Sequence, residues 1–188
     1  MSEPARPPRH LTVEEYLLFE ETAEVRHEYV GGNIFAMVGA TKRHNKIVTN
    51  IFRRLADAAD EADCRVYTEA VKLQVSADVF YYPDLMVACE PDDDPLVEHN
   101  PCLVVEVVSP NTETTDRREK LLAYRNMPSL RAYLVVAQDR RWVEHHFRDE
   151  SENWRRNNLI DDGSVSLDCP PDTLLFFADI YRRIEFAS

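Results

Sequence analysis

Only four of the 188 residues are glycine, and none of them stands in a G-x-G-x-x-G, G-x-x-x-x-G-K or G-x-S-x-G arrangement. Phosphate-cradling loops and nucleophile elbows need glycine where the backbone must turn sharply or approach a ligand closely. NTPase, dehydrogenase and serine-hydrolase readings are therefore set aside. Cysteine is equally sparse: Cys64, Cys89, Cys102 and Cys169 lie far apart with no C-x-x-C spacing. Neither a long apolar run nor a basic-then-apolar leader is present. The expectation is a soluble, cytoplasmic protein with free thiols and no membrane segment. Positive charge is also short, with 22 basic against 34 acidic residues and a net charge of −12. That balance opposes indiscriminate binding to a polyanion, so any nucleic-acid site must be local.

What is present is a chain 44% hydrophobic, with no composition break, repeat or low-complexity tract. It predicts a single domain over 1–188 with a substantial core. "MSEPARPPRH" at 1–10 reads as a flexible arm. Thr12 and Glu15 form a capping-box pattern ahead of a short helix in "TVEEYLLFEE". Gly31-Gly32 should close a hairpin. Residues 44–63 carry the i, i+3, i+4, i+7 apolar stripe of an amphipathic helix. "RVYTEAVKLQVS", "YPDLMVAC" and "CLVVEVVS" read as strands, the last two buried on both faces. Asp116 can cap a helix over "RREKLLAYRNM". "RAYLVVAQD" reads as a buried strand and "RWVEHHFR" as a more exposed one, an edge that could serve a homodimer. The tail from 151 is mixed, with a short helix around "DTLLFFADIY". The order predicts an α/β or α+β fold with a mixed central sheet flanked by helices and an N-terminal helix-hairpin extension.

Two acids interrupt this pattern. Glu106 sits inside "PCLVVEVVSP", and Asp84 heads the apolar strand of "YYPDLMVAC". An antiparallel hairpin centred near residue 95 sets Asp84 opposite Glu106, with Cβ atoms about 5 Å apart. Two carboxylates so close in an apolar sheet raise each other's pKa, and a divalent cation offsets the repulsion. The plainer alternative has Asp84 topping its strand after Pro83 and Glu106 paired with an arginine or lysine. Lys120 and Tyr124 share one face of the following helix. Lys120 could orient a water or stabilise charge on a phosphate, or simply pair with Asp116, and Tyr124 could contact substrate or simply pack. "WVEHH" offers Glu144, His145 and His146, but neighbouring strand residues point to opposite faces and cannot readily share an ion. Both histidines read as surface residues.

Across residues 11–147 the segments "HEYVGGNIFAMVGATKRHNKIVTNIFRRL", "YYPDLMVAC" and "CLVVEVVSPNTETTDRREKLLAYRNMPSLRAYLVV" resemble the Uma-two family of restriction-endonuclease-like proteins, a branch of the PD-(D/E)XK nuclease superfamily. Residues 148–188 form a C-terminal extension. The resemblance implies a metal-dependent endonuclease with Asp84 and Glu106 as ligands of Mg²⁺ or Mn²⁺, acting on nucleic acid, DNA in the first instance. One departure stands out: the superfamily's lysine belongs two residues after the glutamate, where this chain has Val108, and Lys120 is the implied substitute. Glu28 and His44 match positions typical of the branch, as a further acid and a substrate contact. Bottom-up, Glu28 could equally be a hairpin surface charge and His44 a helix-start residue. Basic residues cluster around these positions: Lys42, Arg43 and Lys46, then Arg53 and Arg54, then Arg117 and Arg118. The competing expectation is a catalytically inactive nuclease-fold protein serving as a dimeric nucleic-acid-binding module.

Overall fold

The computed structural model describes residues 10–109 and 116–186, the side chains of Asp116 and Arg117 excepted. The expectations for the arm before His10 and for Asp116 and Arg117 lie outside the described residues.

Helix α1 (Val13–Thr22) begins as its sequence predicts. The Thr12 hydroxyl accepts from Glu15 N at 3.2 Å, and the Glu15 carboxylate accepts from Thr12 N at 3.0 Å. Strands β1 (His27–Val30) and β2 (Asn33–Ala36) form the hairpin. Its turn needs φ values of 52° at Gly31 and 95° at Gly32, which only a residue without Cβ adopts cheaply. Helix α2 (Lys42–Glu61) is capped by Thr41, whose hydroxyl accepts from His44 N. It buries Ile47, Val48, Ile51, Leu55 and Ala59 along one face.

The stretch read as one strand in "RVYTEAVKLQVS" is two, β3 (Arg65–Thr68) and β4 (Lys72–Ser76), which turn at Glu69 and Ala70 and join different sheets. Then follow β5 (Val79–Tyr81), β6 (Leu85–Ala88), β7 (Val97–Glu98), β8 (Leu103–Val108), α3 (Asp116–Arg125), β9 (Ala132–Ala137) and β10 (Trp142–Arg148). The chain ends in β11 (Trp154–Ile160), β12 (Ser164–Leu167), β13 (Thr173–Phe176) and α4 (Phe177–Ile180). The segment read as a helix around "DTLLFFADIY" is thus divided, its first half the strand β13 and its second half the short helix α4.

Six strands form the central sheet in the order β11-β10-β9-β8-β6-β3, with β8 and β9 parallel and the other pairs antiparallel. Helix α3 supplies the crossover that a parallel pair requires. A second sheet runs β2-β1-β5-β4-β7, and β12 pairs with β13. The architecture is the expected mixed α+β one.

On one face of the central sheet Leu85, Val87, Val105 and Leu134 pack against Ile51 and Leu55 of α2 and against Val165 and Leu175. On the other face Met86, Val104 and Val135 meet Tyr124, Met127, Leu73 and Tyr81. Both faces are covered, which explains why β9 is apolar throughout and β8 is apolar at every position but Glu106. Tyr16, Tyr29, Phe80 and Val97 tie α1 to the second sheet.

Two expectations are corrected here. Strand β10 is not an exposed edge: it lies between β9 and β11, and Glu144, His145 and His146 are buried. Its cover escaped notice because "WRRNNLI" has no apolar alternation, as suits a strand that is itself the sheet edge. The cysteines are not separate free thiols either. They converge at one end of the central sheet and are bonded as Cys64 to Cys89 and Cys102 to Cys169, a proximity that linear spacing cannot reveal. No helix among the described residues is long and apolar enough to cross a membrane.

Candidate active site

Strands β6 and β8 pair with Leu85 opposite Val105, so the register carried one residue further sets Asp84 opposite Glu106. Asp84 lies just outside the ladder because Pro83 ahead of it has no N–H to contribute. Its Oδ2 accepts from Val107 N at 2.7 Å and lies 3.0 Å from His44 Nε2. His44 comes from the first turn of α2, the turn fixed by the Thr41 cap. Burial works to lower the His44 pKa, but the hydrogen bond and charge of Asp84, with Glu69 and Glu106 behind it, carry it above the ordinary value.

Glu106 projects from the middle of β8 toward α3. Its Oε1 accepts from Lys120 Nζ at 3.2 Å and from the Tyr124 hydroxyl at 3.0 Å. Lys120 and Tyr124 occupy successive turns of one helical face, as their spacing predicts. Lys120 Nζ also donates to Glu28 Oε1 of β1 at 2.8 Å and lies 5.1 Å from the centroid of the Tyr81 ring. One ammonium group thus bridges acids from two sheets. Burial pushes the Glu106 carboxyl up to about 7; the Lys120 charge opposes this, while Asp84 and Glu28 add to it. Tyr124 is fully buried, packed edge-on against Tyr81 and tilted against Tyr133. Burial and the charge of Glu106 raise its hydroxyl well above the normal phenol range, which keeps it a donor.

A cavity of about 510 Å³ is lined by Glu28, His44, Tyr81, Asp84, Glu106 and Lys120. A second recess of about 440 Å³ shares His44 and Asp84 and adds Arg26, Glu69 and Gln138. A larger cavity, about 680 Å³, is walled by β10 to β12 and holds His145 and Arg131. Volume does not choose between them; the convergence of three acids, a lysine and a histidine in hydrogen-bond contact favours the first.

Five of the residues singled out in the sequence therefore meet in one cavity: Asp84, Glu106, Lys120, Glu28 and His44. Tyr124 stands behind Glu106, buried, and braces it from within the core. The glutamate does pair with a lysine, as the plainer reading expected, but among the described residues nothing donates to its second oxygen. Among the described residues, every hydrogen bond to the two acids reaches Asp84 Oδ2 or Glu106 Oε1. Asp84 Oδ1 and Glu106 Oε2 accept none. Two carboxylates lining one cavity fit Mg²⁺ or Mn²⁺, which take one or two carboxylates and complete their shell with water and substrate oxygen.

Elsewhere, His146 bonds Glu144 and Arg125 while His145 stacks on Phe147. The two imidazoles diverge as strand geometry requires, so "WVEHH" is no joint ligand set. Of the basic clusters, Lys42 and Arg43 are exposed at the start of α2 beside His44. Arg54 instead donates to the Leu174 carbonyl. Sequence reasoning missed Tyr81, Arg26 and Glu69. Tyr81 carried a signal, standing three residues before Asp84, whereas Arg26 and Glu69 lie in turns with none.

The family model Uma2, described as "Putative restriction endonuclease", matches residues 13–173. The "Uncharacterized protein slr1290" of Synechocystis is 34% identical over 187 residues, 97% of each chain. The "Uncharacterized protein sll1609" of the same organism is 30% identical over 155 residues, 80% of this chain and 88% of that one. A crystal structure of a "putative nuclease belonging to DUF820" from Anabaena variabilis superposes with a TM-score of 0.73 over 91% of this chain and 97% of that chain, at 15% identity, a likeness of fold. The matched span contains every residue of the cavity described above, and the chain belongs to the Uma2 family.

Proposed function

We propose that the protein is a metal-dependent endonuclease that hydrolyses phosphodiester bonds in nucleic acid, with Asp84 and Glu106 holding one Mg²⁺ or Mn²⁺. The observation that carries this reading is the meeting of those two acids with Lys120 in one cavity, each carboxylate with an oxygen to spare. Bound there, the cation supplies Lewis-acid polarisation of a phosphodiester and acidifies a water.

The chain's own groups do the rest. Glu106, held near neutrality by burial, is set in place by Tyr124 and kept available as an anion by Lys120. Lys120, anchored by Glu28, presents a positive charge where an attacking water and a developing phosphorane charge would stand. It reaches Glu106 from α3 and so takes the place left empty at Val108. His44, held by Asp84 through Nε2 and biased toward the imidazolium, adds positive charge beside a bound phosphate. Lys42 and Arg43 beside it give the local positive surface that a chain of net charge −12 needs to approach a polyanion. DNA is the first substrate to consider, in the cytoplasm. A homodimer suited to cutting both strands would have to use a surface other than β10.

The test incubates purified protein with supercoiled, linear and single-stranded DNA and with RNA, each with Mg²⁺, Mn²⁺ or chelator. Metal-dependent cleavage that vanishes in Glu106→Gln supports the reading. Failure to cut any substrate while nucleic acid is still bound points to the inactive binding module instead.

A further inference from the structure

Four cysteines from four separate segments meet at the end of β6 opposite to Asp84. Cys64 precedes β3, Cys89 follows β6, Cys102 precedes β8, and Cys169 lies between β12 and β13. The sheet register brings the first three together, because Arg65 pairs with Ala88 and Val87 pairs with Leu103. The β12–β13 connection delivers the fourth. Across the two disulfides, Cys89 Sγ lies 3.6 Å from Cys102 Sγ and 3.7 Å from Cys169 Sγ. Two independent cross-links would have no need to sit against one another. A shared ligand would require it.

The spacing is that of a particular ligand. Zinc held by thiolates has Zn–S bonds of about 2.3 Å, and tetrahedral geometry then sets neighbouring sulfurs about 3.8 Å apart. The two separations from Cys89 match that edge, and the sulfurs of Cys89, Cys102 and Cys169 all lie within 4.8 Å of one another, while Cys64 is held to the group through its bond to Cys89. The surroundings fit as well: Cys64 and Cys169 are buried in the cluster formed by Ala59, Val87 and Leu167. The guanidinium of Arg65 bonds the Glu90 carbonyl, closing the chain beside Cys64 and Cys89. No carboxylate or imidazole stands among the four sulfurs, so the donor set is all soft and suits Zn²⁺ over Mg²⁺.

We infer that in its reduced form the protein binds one Zn²⁺ through Cys64, Cys89, Cys102 and Cys169. Four protein ligands leave no open position, so the site is structural rather than catalytic. It fastens the C-terminal β12–β13 unit to the ends of β3, β6 and β8. Opening the disulfides with a phosphine consumes one phosphine and one water per bond and gives the phosphine oxide and two thiols. Metal binding then exchanges four thiol protons for one zinc ion. This site is independent of the carboxylate cavity and of any nuclease activity.

The experiment reduces the full chain anaerobically, confirms four thiols per chain with a thiol reagent in denaturant, and titrates Co²⁺ as a spectroscopic stand-in. The inference expects saturation at one equivalent with intense visible bands and sulfur-to-cobalt charge transfer, both abolished by Zn²⁺ displacement. The native mass spectrum should show, at each charge state, the reduced chain plus one zinc less two protons. Cys169→Ser should lose the tetrathiolate spectrum, while Glu106→Gln should keep it. Four titrated thiols without charge-transfer bands, or a Cys169→Ser spectrum identical to the wild type, would overturn the inference. The wild-type titration decides the matter even where a cysteine variant does not fold.

Discussion

Lys120 Nζ lies 3.2 Å from Glu106 Oε1, although one belongs to α3 and the other to β8. The same nitrogen lies 2.8 Å from Glu28. A single cation therefore answers two carboxylates, one of them the Glu106 carboxyl that burial pushes toward protonation. Lys120→Met should lower cleavage by about 100-fold or more, the usual cost of removing a charge placed for the transition state. It should also lower the melting temperature more at pH 8 than at pH 6, because at pH 6 Glu106 can be neutralised by a proton. A stability loss equal at both pH values would show that the pair is not coupled as described.

Tyr124 donates to Glu106 while its ring packs against Tyr81 and Tyr133. Tyr124→Phe keeps the packing and deletes the hydrogen bond, at about 1–2 kcal/mol. That bond favours the ionised carboxylate, so its loss raises the Glu106 pKa from about 7. The rising limb of the pH–rate profile, measured at subsaturating Mn²⁺, should move upward by up to about one pH unit. A tyrosine that only filled space would leave that limb in place.

His145 is buried, its Nε2 without a partner among the described residues, and burial, aided by His146, lowers its pKa to about 4 from 6.5. The unfolded chain then takes up a proton that the folded chain refuses. The sign follows: this stability is intact above pH 6.5, falls as pH drops toward 4, and by then has cost roughly 3 kcal/mol. His145→Gln should flatten the fall in melting temperature over that window while leaving the value at pH 8 within about 1 kcal/mol equivalent of wild type. Parallel wild-type and variant curves between pH 6.5 and 4 would contradict it.

The parts of this fold that could be read from sequence are those set by local chemistry. The Thr12 and Glu15 box, the glycine hairpin and the buried stripe of α2 are each written within a few residues. The pairing of Asp84 with Glu106 was legible because a hairpin converts sequence distance into register. Contacts across separate elements were not: Glu28 meets Lys120 only because β1 of the second sheet faces α3. The division of "RVYTEAVKLQVS" escaped detection since neither glycine nor proline marks the turn at Glu69 and Ala70. The burial of β10 escaped because its cover, β11, is polar and shows no pattern. The meeting of four cysteines depends on two strand registers and a loop at once.

The central claim is that Asp84 and Glu106 share one hard divalent cation, and Mn²⁺ binding followed by electron paramagnetic resonance or calorimetry tests it most directly. Wild-type protein should take up one Mn²⁺ per chain in competition with Mg²⁺, more tightly at pH 8 than at pH 6 as Glu106 sheds its proton. Asp84→Asn and Glu106→Gln should each lose that binding while staying folded by circular dichroism. Equal Mn²⁺ affinity in wild type and both variants would contradict the account.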